Sequence, residues 1–229
     1  MKLLKLTLEG PLQSWGERGR WDARDTAAMP TKSAVIGLLG CCRGIPRESP
    51  ELVQMSNALH IAVRCDKPGR VMTDFHTVQT GAGQGNFPNA SGGYRTGDTI
   101  LTPKQYLQDA RFTVFLWGDH DELERCCQAL FHPFWTPYLG RRSCVPSLPL
   151  LPEMIESPDI DTAISDGAPK GAVAYIELLQ GDQVHPEERI LRRRDSVINA
   201  SRNEYRYRDI RVSRLEERKG SDVSQQDSP

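Results

Sequence analysis

Residues 2–8 (KLLKLTL) set leucines between charged and polar side chains, and the run stops at Gly10-Pro11, a turn signal. This pattern predicts a first strand. From Gln13 to Met29 the positions are mostly polar around Trp15 and Trp21, a loop too long for a simple connector. Pro30-Thr31-Lys32-Ser33 then precedes the apolar run AVIGLLGCC, where Ser or Thr can cap the free N–H groups of a helix beginning near Ser33. A second short helix is expected over 50–57 and a strand over 59–65 (LHIAVRC). Between Asp74 and Tyr106 strand-like ends flank a glycine-rich middle, predicting an extended hairpin that protrudes from the body. RFTVFLW (111–117) reads as a strand, and DHDELERCCQALF (119–131) as an amphipathic helix with Asp119 near its cap. A β-prone stretch near 134–145, a linker over 151–171 rich in Pro, Asp and Gly, and a strand within 171–179 (GAVAYIELL) complete the reading.

The order strand, helix, strand, protrusion, strand, helix gives an α+β class close to the β-α-β-β-α-β ferredoxin-like arrangement. The expected organisation is a domain over 1–150 with the protrusion at about 78–104. A smaller β-rich, Arg-rich part over 151–219 and a disordered tail over 220–229 would follow. At 229 residues the chain is long enough for one good core. The N-terminal apolar stretch is broken by Lys5, Thr7 and Glu9, and no run of about 18 apolar residues exists, so a cytoplasmic protein that does not engage membranes is expected. Six cysteines without a C-x-x-C spacing fit reduced, mostly buried thiols better than disulfides or zinc.

The net charge of −1 conceals segregation. Residues 151–188 hold nine acids and one lysine, whereas 189–219 hold eleven Lys and Arg against five acids. A polyanion can therefore be met by one region while another repels it.

Three local patterns carry chemistry. GPLQSWG (10–16) places Gln13, Ser14 and Trp15 on a turn, and Lys32 and Ser33 stand at a helix start whose N–H groups favour a phosphate. PYLGRRSC (137–144) sets Arg141, Arg142 and Ser143 beside Tyr138, suiting bidentate phosphate contacts and base stacking. Arginines over 189–218 interleave with Tyr205 and Tyr207, a composition that suits RNA, with a solvated face as the plainer alternative. His76 in DFHTV, with Tyr94, Lys104 and Lys32 near it in sequence, invites comparison with a general base, although nothing in the spacing places two such groups together and a structural hydrogen-bonding role is the plainer reading. Nucleotide-binding, metallohydrolase and nucleophile-elbow motifs are absent, and no cofactor, metal or catalytic residue is expected.

The segments GPLQSWG, PTKSAVIGLLG (30–40), IAVRCD (61–66), DFHTV (74–78), FTVFLW (112–117) and PYLGRRSC occur in an order that resembles the CasD family of type I-E CRISPR complexes. The resemblance implies an RRM-like fold with a β-hairpin thumb and a non-catalytic role gripping the 5′ handle of crRNA. It implies as partners the crRNA, the repeated backbone subunit, the large PAM-recognising subunit and, indirectly, target DNA. On it the RNA-binding residues would be Gln13, Ser14, Trp15, Lys32, Ser33, His76, Tyr94, Arg95, Tyr138, Arg141, Arg142 and Ser143. The rival readings are a metal-independent endoribonuclease that cuts CRISPR repeat RNA and a pure protein adaptor.

Overall fold

The computed structural model describes residues 1–17, 23–79, 99–199 and 201–215, together with the backbone of 86–88 and 94–96. The alternating N-terminal pattern forms β1 (Lys2–Glu9), followed by a two-residue strand β2 (Leu12–Gln13). Helices α1 (Lys32–Arg43) and α2 (Glu51–Ala58) precede β3 (Leu59–Lys67) and β4 (Arg70–Gln79). Short strands β5 (Asn86–Pro88) and β6 (Tyr94–Thr96) pair with each other. Next come β7 (Thr99–Gln108), β8 (Arg111–Gly118) and α3 (His120–Phe131). The C-terminal third adds β9 (Glu153–Glu156), α4 (Ile160–Ser165), β10 (Val173–Glu177), β11 (Arg189–Asn199) and β12 (Glu204–Arg214).

Seven strands make one antiparallel sheet in the order β11-β12-β10-β3-β8-β1-β9. Its central strand β8 is apolar on consecutive residues because both faces are covered. Leu4, Leu6, Leu8, Phe112 and Val114 join Val35, Leu39, Leu123 and Leu130 in a core beneath α1 and α3. On the opposite face Leu3, Phe115, Trp117 and Ile176 meet Ala163 and Ile164 of α4. A second sheet, β2-β7-β4, carries a hairpin in which β4 and β7 pair without interruption from Arg70↔Gln108 to Gln79↔Thr99. Its sides are exposed away from its base.

Local signals placed the caps. Thr31 Oγ1 accepts the Ala34 N–H at 3.3 Å, so α1 begins at Lys32, one residue ahead of the expected start. Asp119 caps α3 by accepting the Glu122 N–H at 2.9 Å. Two expectations are corrected. No strand forms over 134–145: Pro137 lacks an N–H donor, prolines 133 and 146 flank the stretch, and the Phe134 and Trp135 N–H groups are drawn to the carbonyls of Cys42 (2.7 Å) and Cys41 (3.3 Å) at the end of α1. The expected linker over 151–171 instead holds β9, registered on β1 through Leu3↔Ile155, and α4, capped by Asp159. Both elements are shorter than the window over which periodicity is legible. Among the described residues all six cysteines are unpaired thiols, with Cys42, Cys126 and Cys144 buried. Burial pushes the thiols of Cys42 and Cys126 up to about 12. No helix of the described residues is long and apolar enough to cross a membrane. The tail beyond residue 215 lies outside them.

Candidate nucleic-acid interface

The turn GPLQSWG is built into the protein. Trp15 is fully buried, and its indole N–H donates to Gln13 Oε1 at 3.1 Å. Gln13 Nε2 in turn donates to the Ala110 carbonyl at 2.7 Å. Ser14 Oγ donates to the Gln105 carbonyl at 3.2 Å, and Thr26 Oγ1 accepts the Trp15 N–H at 2.9 Å. The expectation that these residues face a nucleic acid is thus corrected for Gln13 and Trp15, which are turned into the core, whereas Ser14 lines the smaller of two clefts. A buried indole needs an acceptor, and the neighbouring glutamine supplies it.

Lys32 is corrected likewise. Its ammonium lies 2.8 and 3.1 Å from the two carboxylate oxygens of Glu177, and its side chain is 4% exposed. Its backbone N–H, at the start of α1, donates to Asp195 Oδ2 at 2.9 Å. Arg208 forks onto Asp195 at 2.6 and 2.9 Å. The helix start does bind an anion, but that anion is a carboxylate delivered by β11. Burial works to raise the Glu177 carboxyl, yet His60, Lys32 and Arg208 outweigh it and hold it down at about 2.

PYLGRRSC folds against this turn. Gly140, at φ +91°, lies so close that a Cβ there would fall 1.7 Å from the Ser14 carbonyl oxygen. The Ser14 N–H donates to the Leu139 carbonyl at 3.0 Å. The two arginines then diverge. Arg141 donates to the carbonyls of Gln105 (3.0 Å), Arg24 (3.2 Å) and Asp25 (3.4 Å), with its guanidinium 4.6 Å from the Tyr106 ring centroid. It is a clamp on three chain segments. Arg142 is exposed and has no hydrogen-bond or ion-pair partner among the described residues.

Arg142 belongs to a cleft of about 850 Å³ running along the outer side of α1, between Trp135 and Tyr138 on one side and Val197 and Tyr205 on the other. Ser33 lies at its helical wall. The opening is lined mainly by apolar atoms, while Arg47 and Arg142 add charge. A smaller cleft of about 460 Å³, lined by Arg24, Lys104 and Arg141 among others, meets it at Gly140 and Arg47. Together they form a trough that leads from α1 to the base of the β4/β7 hairpin. Ser143 is exposed beside it, outside the cleft lining. Cys41 lines the larger cleft, and burial raises its thiol against the opposing pull of Arg142.

On the hairpin, His76 and Lys104 come together with Nδ1 and Nζ 2.9 Å apart. The spacing in sequence did not join this pair; the register His76↔Thr102, Asp74↔Lys104 does. Tyr94 and Arg95 belong to β6, and their side chains lie outside the described residues.

The C-terminal arginines divide into buried and exposed side chains. Arg208 and Arg211 are buried in ion pairs, Arg211 with Asp161 at 2.7 Å and Glu188 at 2.7 Å. Arg192, Arg194, Arg202 and Arg206 are exposed, with Arg192 lying 5.2 Å from the Tyr207 ring centroid. Sequence reasoning passed over Arg24 and Arg47, charges in polar loops, and over Trp135 as a cleft wall. Only the pairing of distant segments gives them a common surface.

Fold and site together define a mixed α/β protein with a long antiparallel sheet, few helices and a basic, aromatic-walled trough. The model of the family described as CRISPR-associated protein (Cas_Cas5) matches residues 3–216, and the chain belongs to that family. It is 38% identical over 189 residues to the CRISPR system Cascade subunit CasD of Escherichia coli (strain K12), covering 76% of this chain and 80% of that protein. A solved CRISPR RNA-guided surveillance complex contains a chain that superposes with a TM-score of 0.74 at 31% identity, over 93% of this chain and 90% of the other. A crystal structure of a Cas protein gives 0.68 at 28% identity, over 93% and 95%.

Proposed function

We propose that the chain is a non-catalytic, crRNA-binding subunit of a type I-E Cascade complex, working in the cytoplasm in antiviral defence. It grips the 5′ handle of the guide, contacts the repeated backbone subunit and helps position the large PAM-recognising subunit. The observation that carries this reading is the trough, where an exposed guanidinium and aromatic walls meet over an apolar floor. Single-stranded RNA offers phosphates for such arginines and unstacked bases for such rings. The relative named as a Cascade subunit and the match within an RNA-guided complex support the same reading. The strand order β9-β1-β8-β3 with α1 and α3 supports a ferredoxin-like, RRM-like core. On this reading the β4/β7 hairpin is the thumb, and β10 to β12 are a smaller β-rich C-terminal part.

Titrating labelled guide RNA onto the full chain and its Arg24→Ala/Arg142→Ala variant tests it. Loss of tenfold or more in affinity, with a shallower salt dependence by about 0.7 per lost phosphate contact, is expected. Equal affinity at all salt concentrations would remove the trough from consideration.

The His76–Lys104 pair favours a second reading, a metal-independent repeat endoribonuclease in which the imidazole takes the 2′-hydroxyl proton and the ammonium steadies the cleaved phosphate. Incubation of repeat RNA in EDTA decides between them. Single-site cutting that vanishes in His76→Ala would establish the enzyme, and intact RNA would leave the binding role.

A further inference from the structure

Gly37 lies inside α1, where glycine destabilises a helix relative to alanine. The fold supplies no reason for it. Its φ is ordinary, and a Cβ there would meet no atom of another described segment within 4 Å. Gly40, one turn on, is different, since a Cβ there would lie 2.5 Å from Leu52 Cδ2 and the leucine side chain of α2 would have to shift. Gly37 is exposed and forms part of the wall of the larger cleft, whose lining also includes Tyr138, Trp135 and Arg142.

We propose that Gly37 is a specificity-determining position: its missing side chain opens a slot in which one unstacked RNA base lies flat against the backbone of α1. The inference rests on the RNA-binding reading of the trough and adds the place where a base is taken out of the strand. A base is the occupant that suits these surroundings. Aromatic rings from the 134–138 loop and from β12 offer π-faces, and arginines in the same cleft receive the flanking phosphates. A partner helix seated on Gly37 would have to bury the Arg142 guanidinium, which has no carboxylate of this chain to pair with among the described residues. Ser33, one helical turn from Gly37, presents a hydroxyl at the same wall, where it can bond a base edge.

The test uses the purified full chain as wild type, Gly37→Ala, Gly37→Ser and Arg142→Ala, with guide RNAs carrying 2-aminopurine at successive positions of the 5′ handle. Gly37→Ala is expected to raise Tm by about 2–4 °C, since it removes a helix-breaking residue. It should also weaken RNA binding by tenfold or more and abolish the fluorescence rise of 2-aminopurine at one position. Gly37→Ser should weaken binding further. Unchanged affinity and fluorescence in both Gly37 variants would overturn the slot. So would a defect confined to assembly with protein subunits while RNA affinity holds, which assigns the slot to a protein. Failure of the wild-type chain to bind guide RNA refutes the RNA reading itself, whereas weak binding by Arg142→Ala alone refutes only the slot.

Discussion

Two adjacent arginines illustrate how little residue type says about role. Arg141 donates to three backbone carbonyls and stacks on Tyr106, so Arg141→Ala removes three hydrogen bonds and a cation–π contact and should lower stability by about 1–3 kcal/mol in urea denaturation. Arg142→Ala should leave the free energy of unfolding in urea unchanged within about 0.5 kcal/mol, because nothing in the described fold depends on its guanidinium. On the proposed RNA-binding reading its effect falls on RNA affinity. The same contrast separates Gln13 from Ser33. Gln13→Leu strands the buried indole N–H of Trp15 and is expected to cost about 1–3 kcal/mol, read by the same denaturation. Ser33, whose hydroxyl lies 3.3 Å from that of Thr31, is free to change at far smaller cost.

At the scale of elements, the start of α1 is the joint that holds the C-terminal strands. Lys32, Glu177, Asp195 and Arg208 bring together α1, β10, β11 and β12 in a buried ionic cluster. Removing one member leaves the others charged and desolvated, so Lys32→Met should destabilise by about 3–5 kcal/mol. The pH dependence follows from Glu177. Its folded-state value of about 2 lies below the ordinary 4.5, so the ionised carboxylate adds stability above pH 4.5. That contribution is lost as pH falls towards 2. Thermal melts between pH 5 and 2 should decline more steeply for the wild type than for Glu177→Gln, which starts lower but lacks this titration. Asp195 also explains why the helix start is not a phosphate site: β11 has already filled it.

At the scale of the molecule, the β4/β7 hairpin is separable from the sheet that supports it. Replacing residues 77–101 by Asn-Gly joins the cross-strand partners His76 and Thr102 through a tight turn. The removed side chains that are described, Thr77 to Gln79 and Thr99 to Leu101, are largely exposed, and on the proposed reading guide RNA affinity should fall in a direct titration. Much of this architecture was legible from the sequence by itself. The order of the strands and helices through residue 131 followed from periods of two and 3.6, and the caps at Thr31 and Asp119 from short polar side chains before apolar runs. The motifs at 10–16 and 137–144 pointed to a shared site. The structure brings the two motifs together, because Gly140 rests on Ser14, although only a fraction of their residues line the trough. What tertiary structure alone decided is which charges are buried and which are free. Trp15, Lys32 and Arg141 are spent on packing, on an ion pair with residue 177 and on carbonyls of segments up to 117 residues away. Local sequence fixes backbone conformation through neighbouring atoms, whereas the desolvation that makes a charge structural depends on partners that only the folded chain brings near.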